Sequence, residues 1–260
     1  MTEYQGMPPN EFVPAPQILK NTRMIITGYE ANPDVLEEAV PDPLEPHPNN
    51  RVQMNMYEVT DGRKTSHLDS FSLTYLTVEI ADHNSTGILA SSGDRFPIPG
   101  RWWIGYWNSS PKMQTFTREL GGIPAQTGAT SWEWDGDHLT STLSIDGDAA
   151  IQLEADAPNP DGENYNRQER VTGHLNYFAR RQLPSMQGNQ AKVDELVQFP
   201  IANVFESYKA EVTDIEFSFP DDHRAQKFAP TESLQVDEVL YGDSTFVYPQ
   251  GRVIHEWNEE

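Results

Sequence analysis

The sequence predicts one mainly antiparallel β domain with a few short helices. Short segments rich in β-branched and aromatic residues alternate apolar and polar positions, as half-buried strands do. Asp-Gly pairs at 61–62, 135–136 and 146–147 mark tight turns between such segments. No internal repeat and no linker composition divides the 260 residues, and single β barrels and sandwiches reach this length.

The elements follow in order along the chain. Residues 1–19 contain four prolines and predict an extended N-terminal arm, which leaves 20–255 as a single domain. Residues 24–29 predict a strand. A short helix is predicted from Asn32-Pro33-Asp34 through Ala39, because a proline lies near its first turn and acidic residues are favoured there. Further strands are predicted over 51–57, 70–80, 131–134, 138–145, 149–155, 211–219 and 233–239, with a loop over 157–170.

Composition excludes several classes of function. The chain carries 40 acidic and 18 basic residues, a net charge of −22, which argues against nucleic acid or an anionic membrane surface as a partner. There is no cysteine, so thiol nucleophiles and disulfides are excluded. The seven histidines show no metal-ligand spacing, and no dinucleotide or phosphate-loop motif occurs. We therefore expect no metal or other cofactor. With neither a signal peptide nor an apolar span in the sequence, we expect a cytoplasmic protein.

Several short motifs share an order and spacing. Val40–Pro46 reads Val-Pro-Asp-Pro-Leu-Glu-Pro, an aromatic run covers Arg101–Trp107, and Arg118–Gln126 reads Arg-Glu-Leu-Gly-Gly-Ile-Pro-Ala-Gln. Leu175–Arg181 holds an Asn-Tyr pair within a later strand. Together these resemble the acetoacetate decarboxylase family over most of residues 20–255. The resemblance implies a curved antiparallel sheet that closes into a barrel or cone around an internal pocket. It also implies a homo-oligomer.

The resemblance places the family's two lysines at Ala125 and Gln126. In the family the first lysine forms a Schiff base with a β-keto acid, and the second helps to lower its pKa. A chain with alanine and glutamine there resembles a decarboxylase scaffold without its nucleophile. An engineered replacement of the lysine at position 125 is an alternative interpretation.

Other positions of the implied site also differ from the family. Gln53 stands where family members carry the glutamate of an Arg-Phe-Glu strand, and Leu73 stands where they carry that of Tyr-Thr-Glu. The family's active-site arginine corresponds to Arg23 if a one-residue shift is allowed, and to Thr22 otherwise. Loss of these glutamates is expected once the amine is gone, because burying a carboxylate that no longer takes part in the reaction costs free energy.

The remaining candidates follow from the same alignment of motifs. Arg118 could hold a carboxylate, ketone or enolate oxygen with Glu119 as general base, although the two could equally form a structural ion pair. Gln126 could donate a hydrogen bond to a carbonyl. Substrate-binding positions are expected at Trp103, Tyr106, Ile123, Pro124 and Ala125, of which the aromatic pair could instead serve core packing.

These features predict an enzyme that acts without a Schiff base. We expect it to act on a hydrophobic ketone, β-dicarbonyl or polyketide-like small molecule, by acid–base catalysis or enolate stabilisation. A lyase, hydratase, cyclase or isomerase would all agree with this prediction. A non-catalytic protein that binds a small molecule on the same fold is the alternative.

Overall fold

The computed structural model describes residues 15–66, 68–85, 89–90, 98–162, 169–183, 193–231 and 236–257. Within them the strands are β1 (Gln17–Glu30), β2 (Arg51–Val59), β3 (Phe71–Ser85), β4 (Leu89–Ala90), β5 (Ile98–Asn108), β6 (Ala125–Thr127), β7 (Ala129–Asp135), β8 (His138–Ile145), β9 (Asp148–Asp156), β10 (Glu169–Leu183), β11 (Val193–Tyr208), β12 (Glu211–Phe217), β13 (Val236–Tyr248) and β14 (Arg252–Glu256). The helices are α1 (Pro33–Ala39) and α2 (Pro111–Thr115), a π-helical turn over Phe116–Leu120, and 3₁₀ turns at Gly62–Lys64 and Arg224–Phe228. The predicted mainly β class is confirmed.

Seven strands close into a barrel. Their order is β10-β11-β13-β1-β2-β3-β5, and β5 returns to β10. All neighbours pair antiparallel except at the closure, where β5 and β10 run parallel and pair only through Arg101 with Tyr177 and Trp102 with Phe178. The predicted curved sheet closing into a barrel is therefore confirmed. The segment 121–125 lies beside both strands, because Gly122 approaches the backbone of Arg180 on β10 and Ala125 pairs with Tyr106 on β5.

The alternation of the strands separates two apolar clusters. Because successive side chains point to opposite faces of a strand, Met24 and Ile26 face the interior of the barrel while Ile25 faces outward. The inner cluster is unusually aromatic and includes Tyr57, Phe71, Tyr75, Trp103, Tyr106, Phe116, Tyr177, Phe199, Phe246 and Tyr248. The outer cluster is covered by a second sheet, β12-β9-β8-β7, and by α1.

Local sequence signals explain the ends of several elements. Asn32 caps α1 by accepting a hydrogen bond from the backbone N–H of Asp34, and Pro33 occupies the first turn, so the predicted helix is confirmed. The hairpin of β7 and β8 is also confirmed. Its turn contains Gly136 at a φ of +62°, a conformation that glycine adopts without cost.

The ends of the chain are only partly described. Of the N-terminal arm predicted over 1–19, residues 17–19 belong to β1 and residues 1–14 lie outside the described residues. The predicted loop over 157–170 gives way to β10 at Glu169, and 163–168 likewise lie outside them. In the part of the chain that the structure describes, none of the helices combines the length and apolar character that crossing a membrane would take.

Candidate functional site

The segment that joins β5 to β6 forms one wall of the site. Ser110 caps α2 by accepting from the backbone N–H of Met113 at 3.2 Å, and Pro111 fills the first turn. The helix then widens into a π-helical turn, where the Thr117 hydroxyl donates to the carbonyl of Met113 at 2.8 Å. Such π-turns occur often at functional sites.

Glycine is required where this segment turns toward β6. Gly122 has a φ of +68°, and a Cβ placed on it would lie 2.6 Å from the carbonyl oxygen of Arg180 on β10. No other residue type fits both the backbone conformation and this close approach. Gly122 thus sets how closely the segment approaches the barrel wall.

Residues 125 and 126 point in opposite directions. Ala125 pairs with Tyr106 across the parallel β5–β6 ladder, belongs to the inner cluster and is buried. Gln126 pairs with Trp107, whose side chain belongs to the outer cluster, and is exposed. The first of the two implied lysine positions therefore faces the barrel interior, and the second faces away from it.

A cavity of about 220 Å³ opens at the end of the barrel beside this segment. Its wall is mostly apolar, with Phe116 and Ile123 on one side and Phe199 on the other. Arg181 also lines it, and its guanidinium is held by Glu195, the residue opposite in the β10–β11 ladder. An apolar cavity with a few polar groups is the usual character of a small-molecule site.

Tyrosine hydroxyls meet behind the cavity wall. Tyr248 lines the cavity, and its hydroxyl lies 3.5 Å from those of Tyr57 and Tyr106. Burial raises the pKa of Tyr57 and Tyr106 well above 10, and raises that of Tyr248 to about 12. All three hydroxyls are therefore protonated at neutral pH and can act as hydrogen-bond donors.

A second polar group of side chains lies deeper on the inner face. The Arg101 guanidinium donates to the hydroxyl of Tyr177 at 3.2 Å, and that hydroxyl lies 3.0 Å from the hydroxyl of Tyr75. Glu79 stands opposite Arg101 in the β3–β5 ladder and accepts from the Gln53 amide at 2.7 Å. Arg101 is 1% exposed and Glu79 2%. Buried charges of this kind need several partners, and here the inner face provides them.

These polar and aromatic groups connect to the cavity by direct ring contacts. The ring of Tyr106 stacks on Tyr75 at 5.8 Å, and Trp103 stacks on Tyr177 at 4.8 Å. Trp103 also packs edge-on against Phe199, which lines the cavity. Packed aromatic rings thus run without a gap from the cavity wall to the Arg101 end of the interior.

The structure brings most of the predicted substrate-binding residues to this aromatic interior. Leu73, Trp103, Tyr106, Ile123 and Ala125 belong to the inner cluster, and Gln53 is buried on the same face. The chain therefore holds the implied lysine position, and the positions of both implied glutamates, on the inner wall.

The other predicted residues lie elsewhere. Arg23 is on the outer face of β1, and the inner position beside it is held by the fully buried Thr22. Arg118 is exposed, and the side chain of Glu119 lies outside the described part of the structure. Pro124 is exposed and lines a separate groove between α1 and β10.

Lysine is absent from the described interior. Among the residues that the structure describes, none of the lysines is buried. Lys112, the one nearest in sequence to the loop, points outward and pairs with Asp69 at 2.6 Å. Lys192 lies outside the described residues. No described side chain thus offers a buried amine.

Sequence reasoning missed several residues of this interior. Tyr248 and Phe199 look like ordinary strand aromatics, so nothing in the sequence distinguishes them. Tyr177 lies in the Asn-Tyr pair of the family resemblance, but that pair gave it no role in the site. Glu79 and Arg101 did carry a signal, because each is a charged residue inside an apolar strand segment, Val78–Ile80 and Gly100–Ile104. Across the described ranges, no group of three or more Asp, Glu or His side chains is placed to hold a metal ion.

Comparisons with known proteins agree on the fold. The family model described as acetoacetate decarboxylase matches residues 3–255. A solved acetoacetate decarboxylase has a TM-score of 0.73 at 14% identity, covering 96% of this chain and 93% of its own. The acetoacetate decarboxylase of Legionella pneumophila subsp. pneumophila str. Philadelphia 1 has a TM-score of 0.70 at 13% identity. The match covers 99% of this chain and 93% of that protein.

A biosynthetic enzyme shares the same fold. The enduracididine biosynthesis enzyme MppR, complexed with the condensation product of pyruvate and imidazole 4-carboxaldehyde, has a TM-score of 0.60 at 13% identity, covering 94% of this chain and 90% of its own. The search of curated proteins found no match. The family match extends over nearly the whole barrel, and so the chain belongs to the acetoacetate decarboxylase family.

Proposed function

We propose that this protein takes up a hydrophobic ketone, β-dicarbonyl or polyketide-like molecule in the inner cavity and acts on it without a Schiff base. The observation that carries the proposal is the inward-facing methyl group of Ala125, buried beside Tyr106, in an interior where the structure describes no lysine. None of the described side chains places an amine nucleophile there. The apolar wall of Phe116, Ile123 and Phe199 favours a ligand with an apolar body.

The tyrosine hydroxyls are the groups we assign to the ligand's oxygen. Tyr248 lines the cavity and shares a hydroxyl cluster with Tyr57 and Tyr106. Preorganised neutral donors in a dry site stabilise an enolate oxygen more than they stabilise the parent ketone, and this difference accelerates enolisation. Lyase, hydratase, cyclase and isomerase reactions can all pass through such an enolate. The complex of MppR with a condensation product of pyruvate supports carbonyl chemistry on this fold.

One observation favours a non-catalytic binding protein as the second candidate. The hydroxyls of Tyr57, Tyr106 and Tyr248 have raised pKa values, so they donate hydrogen bonds but do not act as bases near neutrality. Of the predicted catalytic residues, Arg118 and Gln126 are exposed. A cavity whose described lining offers hydrogen-bond donors but no carboxylate or imidazole base would hold an oxygenated ligand without changing it.

A time course followed by liquid chromatography and mass spectrometry tests the proposal. The purified protein is incubated with β-keto acids, aryl β-diketones and polyketide-like lactones, with and without prior borohydride treatment in the presence of each compound. We expect turnover that borohydride does not abolish, because no imine forms. Loss of all turnover together with a covalent adduct would overturn the proposal, and binding without product would favour the second candidate.

Single substitutions test whether Tyr248 or Arg118 carries the chemistry. Tyr248→Phe removes one donor and should lower kcat by about 10²-fold, the usual effect of losing one oxyanion donor. Tyr29→Phe is the matched control, because Tyr29 is equally buried but faces the outer cluster and donates to the carbonyl of Phe228. Arg118→Ala tests the catalytic role predicted from sequence. A tenfold or smaller effect of Tyr248→Phe, with a large effect of Arg118→Ala, would move the chemistry to Arg118.

A further inference from the structure

Three tyrosine hydroxyls meet at the wall of the inner cavity, and each of them brings one proton. The hydroxyl of Tyr248 lies 3.5 Å from those of Tyr57 and Tyr106. Among the described residues, these two contacts are the only hydrogen bonds that the three hydroxyls make. A tyrosine hydroxyl donates one hydrogen bond and accepts others through its lone pairs. Two contacts use two of the three protons, so one proton has no acceptor within this part of the chain.

Burial decides which of the three hydroxyls keeps the spare proton. Tyr57 and Tyr106 are fully buried among aromatic rings and are not part of the cavity lining, whereas Tyr248 is. If Tyr248 donated to either neighbour, the proton of that neighbour would be left in the packed interior. A buried donor without an acceptor costs free energy, whereas a donor at the cavity wall can reach a ligand. The favoured arrangement therefore has Tyr57 and Tyr106 both donate to Tyr248, whose own O–H points into the cavity.

The acid–base properties of the three hydroxyls agree with this direction. Burial raises the pKa of Tyr57 and Tyr106, and donation to Tyr248 raises it further, because a donor is held in its neutral form. The same two bonds act in the opposite direction on Tyr248, whose pKa burial raises to about 12. Of the three hydroxyls, Tyr248 is thus the strongest hydrogen-bond donor, and it is the one at the cavity.

We propose that Tyr57 and Tyr106 are positioning residues, which fix the direction of the Tyr248 O–H and make the cavity selective for a ligand oxygen that accepts a hydrogen bond. The lone pairs of the Tyr248 oxygen are used by its two neighbours, so it offers none to an O–H or N–H group of a ligand. A ketone oxygen meets this requirement. The inference rests on the proposed assignment of Tyr248 to the ligand's oxygen, but it requires no turnover.

Infrared spectroscopy of a bound ketone tests the proposal. Acetophenone labelled with carbon-13 at its carbonyl serves as the probe, because it combines an apolar ring with one acceptor oxygen. We expect saturable binding, with the carbonyl stretch moved to lower frequency than in an apolar solvent by the hydrogen bond from Tyr248. Absence of saturable binding, or a frequency equal to that in the apolar solvent, would overturn the proposal. Because no product is measured, an absence of turnover would refute the proposed enzyme activity and leave this result intact.

Variants separate the positioning role from the direct contact. Tyr248→Phe should remove the frequency shift of bound acetophenone. Tyr57→Phe and Tyr106→Phe should each reduce it by roughly 10–30%, the cooperative strengthening per bond in a hydrogen-bonded chain, although neither side chain lines the cavity. With Tyr248→Phe already present, Tyr57→Phe should change nothing more.

Tyr75→Phe is the matched control for these variants. Tyr75 is buried in the same interior and its ring stacks on Tyr106, but its hydroxyl contacts that of Tyr177. We expect this variant to leave the frequency shift unchanged. An undiminished shift in both Tyr57→Phe and Tyr106→Phe, or an equal reduction in Tyr75→Phe, would overturn the positioning role.

Discussion

Ala125 and Gln126 differ in surroundings although they are adjacent in the chain. A short strand such as β6 sends neighbouring side chains to opposite faces, and its pairing with β5 fixes which one faces inward. The inward one meets the ring of Tyr106 and the aromatic interior, and the outward one meets water. An ionisable group would therefore behave differently at the two positions.

Lysine introduced at each position makes this difference measurable. In Ala125→Lys the amine enters an apolar interior, so desolvation should lower its pKa and leave part of it unprotonated at neutral pH. Borohydride reduction in the presence of acetoacetate should then yield a covalent adduct on Lys at position 125, detected by mass spectrometry. Gln126→Lys is the matched control and should remain protonated and unmodified. Equal labelling of both variants would contradict the inward orientation of residue 125.

One glycine sets the path of the segment from α2 to β6 more than its helices do. Gly122 lets the chain pass over β10 with a backbone that a Cβ would obstruct at the carbonyl of Arg180. Its neighbours Gly121 and Ile123 line the cavity, so a displacement at Gly122 would move the cavity wall.

Alanine at Gly122 should therefore damage both stability and the cavity. We expect Gly122→Ala to lower the free energy of unfolding by about 3 kcal/mol or more, from positive φ together with the clash. Gly136→Ala is the control, because Gly136 has a similar φ of +62° but nothing within 4 Å of the added Cβ, so it should lose only about 1–2 kcal/mol. Urea unfolding measures both. A similar loss of unfolding free energy in the two variants would mean that the clash with β10 does not add to the destabilisation of Gly122→Ala.

Sequence patterns predicted the elements better than they predicted how those elements meet. Alternation and Asp-Gly turns identified the strands and the β7–β8 hairpin, because both signals are local. Arg23 illustrates the limit: a one-residue shift in a strand exchanges inside for outside, and only the pairing of β1 with its neighbours fixes it. The link between Arg101 and Tyr177 depends on residues 76 positions apart, which no local pattern could reveal.

At the scale of the whole molecule, the barrel encloses a set of buried tyrosines. Tyr57, Tyr75, Tyr106 and Tyr248 come from four different strands and meet only because the barrel closes. Burial raises the pKa of each of them, so folding keeps these hydroxyls protonated beyond the pH at which an unfolded chain would ionise them. The free energy of unfolding of the closed barrel should therefore fall at alkaline pH.

The sign of this linkage follows from the order in which the two states lose protons. Tyrosines of the unfolded chain ionise near pH 10, whereas the pKa of Tyr248 in the folded chain is about 12. The stabilisation is present in full below about pH 10 and is lost as the pH rises toward 12, because the unfolded state releases its protons first.

For Tyr248 alone, the free energy of unfolding should fall by about 1.4 kcal/mol per pH unit in this window. Urea unfolding at about pH 8, 10 and 11 measures the fall, and Tyr248→Phe should make it shallower by that amount. An unchanged slope in Tyr248→Phe would mean that water reaches this hydroxyl in the folded barrel.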